Sequence, residues 1–303
     1  MITKIMNSNN APIVIFAFNR AKLLADLVDS LKKCRESAES DLYIFVDGPR
    51  SSTEETLVQE VRNVAKGVAG FGSVTCHFSE TNKGLGASII SGVSEVMKKY
   101  GRAIVLEDDL LLTPNYLSYM NQALEYYADK KEVFSVCGCS LKVDAPRDYI
   151  YDVYFETRHN STGWATWLDR WESVDWELKD WSACENNGRK FCEWAGSDCF
   201  LMLKNWKLGK NKSWAIRFCY AQFVQKRLSV FPIMSKVDNQ GFDGSGTNSK
   251  RYNRFKYEID KLYSRQFKFA PNVQLNDRIH RQIMRYHSIP LRIWSRLMYL
   301  IYR

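Results

Sequence analysis

The chain has 303 residues, 45% hydrophobic and 25% charged, which supports one large or two modest folded domains and excludes a disordered, collagen-like or disulfide-stapled chain. Its net charge of +9 is lopsided: residues 250–303 hold 13 basic and 3 acidic side chains, so the remainder is near neutral and a nucleic-acid-binding face spread over the body is excluded. No apolar run approaches the roughly 20 residues of a membrane-spanning helix, and polar Asn7-Ser8-Asn9-Asn10 stands where a secretory signal needs its apolar core, so a cytoplasmic protein is expected.

In chain order, residues 12–18 (PIVIFAF) form a continuous apolar run of strand length, as in a strand covered on both faces. A helix is expected over 21–33, with Leu23, Leu24, Leu27, Val28 and Leu31 at helical spacing. Residues 42–47 (LYIFVD) read as a second buried strand, stopped by Gly48-Pro49. A helix starting at Ser52 or Thr53 follows, carrying Leu57, Val58, Val61 and Val64. A third strand over 73–78 leads through Asn82-Lys83-Gly84-Leu85-Gly86 into a helix ending near Tyr100. A fourth, 102–107 (RAIVLE), runs straight into Asp108-Asp109, and Thr113-Pro114 opens a helix to about Tyr127 with proline at its first position. Residues 133–138 suggest a fifth strand. Strand and helix alternating at this length imply an α/β fold: a mostly parallel sheet with helices on both faces.

Beyond residue 140 the periodicity weakens. Eight of the nine tryptophans lie between Trp164 and Trp214, and GFDGSG (241–246) marks a loop. The eight cysteines are scattered without a CxxC pair, and Cys137-Gly-Cys139 suits a structural zinc site poorly. Reduced core fillers are expected. The four histidines do not form a metal cluster by spacing; only His159 is expected to border a pocket.

Ligands of open α/β sheets bind outside the carboxyl ends of the strands. That rule gathers Asn19-Arg20, Asp47-Gly48, Asn82-Lys83 and Glu107-Asp108-Asp109 into one expected crevice. Three consecutive carboxylates at a strand end repel one another unless a cation is present, and Mg²⁺ or Mn²⁺ takes carboxylate and phosphate oxygens. Such a metal would bridge to a diphosphate. The alternative is an acidic first turn favoured by the dipole of the next helix. Asp47 can accept from the N–H of a uracil ring, or be a turn residue. Arg20 and Lys83 can pair with phosphates, or be surface charges.

Asn19-Arg20, Asp47, and the run Glu107-Asp108-Asp109-Leu110 followed by Thr113-Pro114-Asn115-Tyr116 resemble the GT-A glycosyltransferases, over about residues 11–248. The nearest pattern is that of the animal N-acetylglucosaminyltransferase of N-glycan processing and of related bacterial glycosyltransferases. The resemblance implies a Rossmann-like GT-A fold and a metal-dependent transfer of a hexosyl or N-acetylhexosaminyl group from a nucleotide-diphospho-sugar, a UDP-sugar, with inversion. By it, Asp109 is the metal ligand for Mn²⁺ or Mg²⁺. Glu107 and Asp108 contact the sugar nucleotide, and Asn19, Arg20 and Asp47 hold it. Gly163-Trp164 falls where the family lines its sugar pocket, so Trp164 is assigned to the pocket, whereas Trp167 and Trp171 are expected in the core. The family's base position falls at Trp214-Ala215-Ile216, which lacks a carboxylate, and a metal-side histidine falls at Asn248. Asp198 and Asp243 are the substitute candidates for the catalytic base.

The expected organisation is a nucleotide-sugar-binding half (1–140), a Trp-rich acceptor half of the same domain (141–249) and a basic C-terminal tail (250–303). In that tail Arg281, Arg285, Arg292, Arg296 and Arg303 alternate with Ile, Met, Leu, Trp and Tyr. The pattern suits either a helix lying on the anionic inner face of a plasma membrane or one packed back on the domain. The expected partners are a nucleotide-sugar donor and a glycan or lipid-linked acceptor, with no nucleic acid. Two other readings compete: a non-catalytic glycan-binding protein built on the tryptophans, and a sugar nucleotidyltransferase.

Overall fold

A computed structural model describes residues 10–241 and 254–301. The apolar runs of the first half become four parallel strands, β1 (Ile13–Ala17), β2 (Asp41–Val46), β3 (Ser73–Phe78) and β4 (Arg102–Glu107), in the order β3-β2-β1-β4. Side chains alternate across a strand, so Ile13 and Ile15 face one layer while Val14 and Phe16 face the other. The first layer is closed by α1 (Ala21–Lys32) and α2 (Glu55–Lys66) through Leu24, Leu27, Leu31, Val58 and Val61. The second is closed by α3 (Leu85–Tyr100) through Ile89, Val93, Val96 and Met97.

After β4 the chain departs from its expected course. Residues Leu110–Leu112 form a short strand, β5, and the helix α4 starts only at Tyr116 (Tyr116–Tyr126). Thr113 N–H is taken by Lys236 O at 2.9 Å, a long-range bond that holds the segment extended beside the later strand Val237–Asn239. The sheet then continues with β6 (Val133–Cys137), β7 (Val153–Glu156), β8 (Trp164–Trp167) and β9 (Leu228–Pro232), and Val237–Asn239 is β10. The full order is β3-β2-β1-β4-β8-β6-β9-β7, with β8 antiparallel between β4 and β6 and β7 antiparallel at the edge. One mostly parallel sheet thus crosses residue 140 without a break.

Five helices fill the Trp-rich region: α5 (Leu168–Glu172), α6 (Trp181–Asn186), α7 (Gly188–Ala195), α8 (Cys199–Lys207) and α9 (Trp214–Val224). Trp164, Trp171, Trp214 and Phe218 stack against one another between the sheet and α9. All eight cysteines are free, and six are buried.

The basic C-terminal region divides. Asp260 forms a buried ion pair with Lys236 and accepts from Asn115 Nδ2 at 2.8 Å, so the chain near it is integral to the body. Helix α10 (Asp277–Tyr286) buries Ile279 and Ile283 against Leu141, Tyr154 and Phe231. Helix α11 (Ile289–Ile301) follows with several apolar side chains exposed. Among the described residues, no helix is long and apolar enough to cross a membrane.

Candidate active site

The carboxyl ends of β1, β2 and β4 open into one cavity of about 950 Å³. Asn19, Arg20, Asp47, Glu107, Asp108 and Asp109 all line it. Backbone direction explains the convergence: parallel neighbours terminate at the same edge, so residues just past each strand meet.

Arg20 ties the acids together. Its Nη2 donates to Asp108 Oδ1, in a very short contact, and to Asp109 Oδ2 at 3.1 Å. Phe18 N–H adds a longer bond to Asp108 Oδ2, 3.4 Å. Burial alone would lower the Arg20 pKa, but the two aspartates hold it raised. Burial pushes Glu107 up to about 8, reinforced by the charges of Asp109 and Asp108. Burial likewise raises Asp108 to about 6 against the pull of Arg20. One arginine thus faces three carboxyl groups and bonds two of them, Asp108 and Asp109.

That imbalance is the test of a metal. Excess negative charge on hard oxygen donors suits Mg²⁺ or Mn²⁺. Among the described residues no three His, Cys, Asp or Glu side chains form a closed cage. Asp109 could hold such a cation together with oxygens from outside the protein. Gly241 leaves the space: a Cβ there would lie 2.5 Å from Asp109 Oδ2.

Asp47 builds the opposite wall. Its Oδ1 accepts from the N–H groups of Gly48 (3.0 Å) and Lys83 (2.9 Å), and its Oδ2 from Gly84 N–H at 2.8 Å. Three backbone donors pin the turn that leads into α3, and about one of the carboxylate's four acceptor sites stays open. Gly86 is required by a close approach, because a Cβ there would sit 2.4 Å from Lys212 O. Lys210, Lys212 and Ser213, just before α9, line this side of the cavity.

Three expected placements are corrected. The Lys83 side chain is exposed and does not line the cavity; its N–H serves Asp47 instead, and Lys210 and Lys212 are the lysines at the wall. Trp164 is 1% exposed and does not line the cavity, because β8 is a central strand covered on both faces. Trp214 takes the wall position in its place. Asp198 is bound by Arg158 through two bonds of 2.8 and 3.1 Å and faces a separate cleft. Burial would raise its pKa, but the Arg158 guanidinium holds it well below the usual carboxylate range, which makes it a poor proton acceptor. Asp243 and Asn248 lie outside the described residues.

The cavity's far end carries His159, expected to border a pocket, together with residues that motif reading missed. Tyr154, Phe231, Phe255 and Tyr257 supply aromatic surface, and Glu156, Arg158, His159 and His287 supply polarity. Glu156 accepts from His280 Nδ1 at 2.9 Å, and its buried Oε1 has no partner. Burial raises the Glu156 pKa, while the bond to Glu156 raises that of His280. His159 Nδ1 meets Ser135 Oγ at 2.9 Å, and burial drives its pKa down to about 3. These groups come from β7, the turn after it, β9 and the C-terminal region, and no local pattern signals that they meet.

The model of the family described as "Glycosyl transferase family 2" matches residues 13–168, half of the chain. No curated protein matches it. Among solved structures, mannosyltransferase PcManGT from Pyrobaculum calidifontis in complex with GDP-Man and Mn²⁺ is 14% identical, over 54% of this chain and 46% of its own, with a TM-score of 0.38. TarS of S. aureus is 13% identical over 55% and 30%, with a TM-score of 0.36. Galactosyltransferase LgtC, in complex with donor and acceptor sugar analogues, is 12% identical over 54% and 60%, with a TM-score of 0.32. The matched region thus spans less than two thirds of each of these chains.

Proposed function

Since the chain belongs to glycosyl transferase family 2, we propose that it transfers a hexosyl or N-acetylhexosaminyl group from a UDP-sugar to a glycan or lipid-linked acceptor, with Mn²⁺ or Mg²⁺ and with inversion. The observation that carries this reading is the meeting of Asp47, Arg20 and Asp109 around one cavity. The open acceptor site on Asp47 suits the single N–H of a uracil ring. Family membership supports this reading over the lectin and nucleotidyltransferase readings.

The residues divide the work. Arg20 positions Asp108 and Asp109, and Asp109 would hold the cation. When bound, that cation supplies charge stabilisation for the departing diphosphate. Lys212 adds a positive charge on the facing wall, and Trp214 and the aromatic far end offer flat apolar faces to sugar C–H groups. The acceptor oxygen forms its bond to the anomeric carbon as the bond to the diphosphate breaks, and its proton must leave. Of the described acids lining the cavity, Glu156 lies apart from the donor end, and its raised pKa and unpartnered Oε1 suit it to take that proton.

Calorimetry with UDP and Mn²⁺ tests the donor half. Wild type should bind the pair, and Asp109→Ala should lose the metal-dependent part; full turnover in that variant refutes the assignment. Glu156→Gln should retain donor binding and lose at least about 100-fold in kcat. If Asp243→Asn is the variant with that phenotype, the base lies in residues 242–253.

A further inference from the structure

The two consecutive C-terminal helices treat their apolar sides differently. Helix α10 buries Ile279 and Ile283, whereas in α11 Ile289, Ile293, Trp294 and Leu297 are 60%, 55%, 54% and 51% exposed. At 100° per residue these four fall within an arc of about 140°, a continuous stripe rather than scattered apolar residues. Arg292 and Arg296 stand along one border of the stripe, and Ser295, on the opposite side, is wholly buried.

Under that border lies a second cleft of about 290 Å³, lined by Arg254, Arg292 and Arg296 with Asp198, Asn205 and Ser295. Asp198 is already paired with Arg158, which leaves the border arginines Arg292 and Arg296 without that carboxylate. Arg292 is fixed by donating to Ser197 Oγ at 3.0 Å. The Ser295 hydroxyl is buried and has no partner among the described residues. A cationic cleft with an unmet hydroxyl matches the oxygens of a phosphate group.

We propose that α11 lies flat on an anionic membrane, its stripe in the headgroup–acyl boundary and the adjoining arginine cleft on a lipid phosphate. Charge complementarity selects this occupant: residues 250–303 carry a net +10, and each basic residue close to an anionic surface raises partitioning about fivefold. An apolar protein groove would cover the stripe but leave the arginine border without a match. The junction of the two helices, His287, also lines the large cavity, so docking brings the cavity's far end to the membrane.

The test is sedimentation of the full-length protein with vesicles of about 70:30 phosphatidylcholine to phosphatidylglycerol, against pure phosphatidylcholine. Wild type should partition at least about tenfold more strongly to the anionic vesicles, and less so as salt rises. The I293D/W294D double variant should lose at least about tenfold, and R296E about fivefold or more. All three positions are exposed, so thermal midpoints should be preserved. Equal partitioning of wild type to both vesicle types, or unchanged partitioning of I293D/W294D, overturns the proposal. So does a thermal shift with inorganic phosphate in a protein that ignores vesicles, which marks a free-phosphate site. A wild-type dimer converted to monomer by I293D/W294D, again without vesicle binding, marks a second copy as the occupant. UDP and Mn²⁺ binding by I293D/W294D should match wild type in every case, which keeps this outcome distinct from failure of the transferase reading.

Discussion

Arg20 bonds Asp108 and Asp109 through a single guanidinium nitrogen, Nη2, while its Nη1 is buried without a hydrogen-bond partner. One donor atom joins the acids at the end of β4 to the end of β1, and a second donor remains for an incoming oxygen. Removing the cation leaves like charges crowded and partly desolvated. Arg20→Met should therefore lose about 2–4 kcal/mol in urea unfolding, and Mn²⁺ should raise its thermal midpoint more than that of wild type. An unchanged urea midpoint would show that the pair contributes nothing to the fold.

Gly241 lies against Asp109 so closely that a methyl group has no room beside Oδ2. Gly241→Ala should displace the carboxylate by a few tenths of an ångström or more. Misplacement of that order costs about 10- to 100-fold in function, so Mn²⁺-dependent UDP affinity should fall by that factor in calorimetry. Gly241 is itself buried, so the thermal midpoint is measured alongside: a fall in affinity in a variant that still folds marks displacement of Asp109.

Trp164 distinguishes a core role from a ligand-contacting role. Its ring stacks on Trp171 and Trp214, with centroids 5.7 and 4.8 Å away. Trp164→Phe should destabilise by about 1–3 kcal/mol through imperfect refilling of the space. Donor KM should stay within about twofold, since β8 keeps the side chain off the cavity wall. A large KM change at unchanged stability would return the residue to the pocket.

His159 sets an acid limit on stability. Its folded pKa, about 3, lies below the ordinary 6.5, so the native state holds fewer protons than the unfolded chain between those values. Stability is then fully present above about pH 6.5 and falls as pH drops through that window, by up to about 1.4 kcal/mol per pH unit for one proton. Buried His287 shifts the same way, through burial and then Arg158. The raised pKa values of Glu107, Asp108, Glu156 and His280 act in the opposite sense across this range, so the readout is the difference from wild type: between about pH 7 and 4.5, His159→Gln should lose less urea stability on acidification, by about one proton in slope. A slope unchanged in that variant would place the uptake elsewhere.

Glu107-Asp108-Asp109 was legible because a buried parallel strand has a direct local signature, a continuous apolar run ended by polar residues. Four such strands entail a shared open edge, and that topology places Asn19, Arg20, Asp47 and the three acids together. Trp164 was assigned to the pocket through the resemblance at Gly163-Trp164, and no local signal opposes that; only the insertion of its strand between β4 and β6 buries both faces. Asp198 looked available because its partner, Arg158, is 40 residues away. The β5 segment took an extended form because Lys236 O, 123 residues on, bonds the backbone of Thr113.

Local chemistry alone thus determined the α/β class, the crevice at the strand ends and the acids that crowd it, because each follows from a run of side chains acting on its own backbone. Tertiary structure decided which carboxylates are free, which lysines meet the wall, and which of two similar basic helices buries its apolar side. Those outcomes depend on partners distant in sequence, whose positions are set by packing the whole sheet and its layers at once.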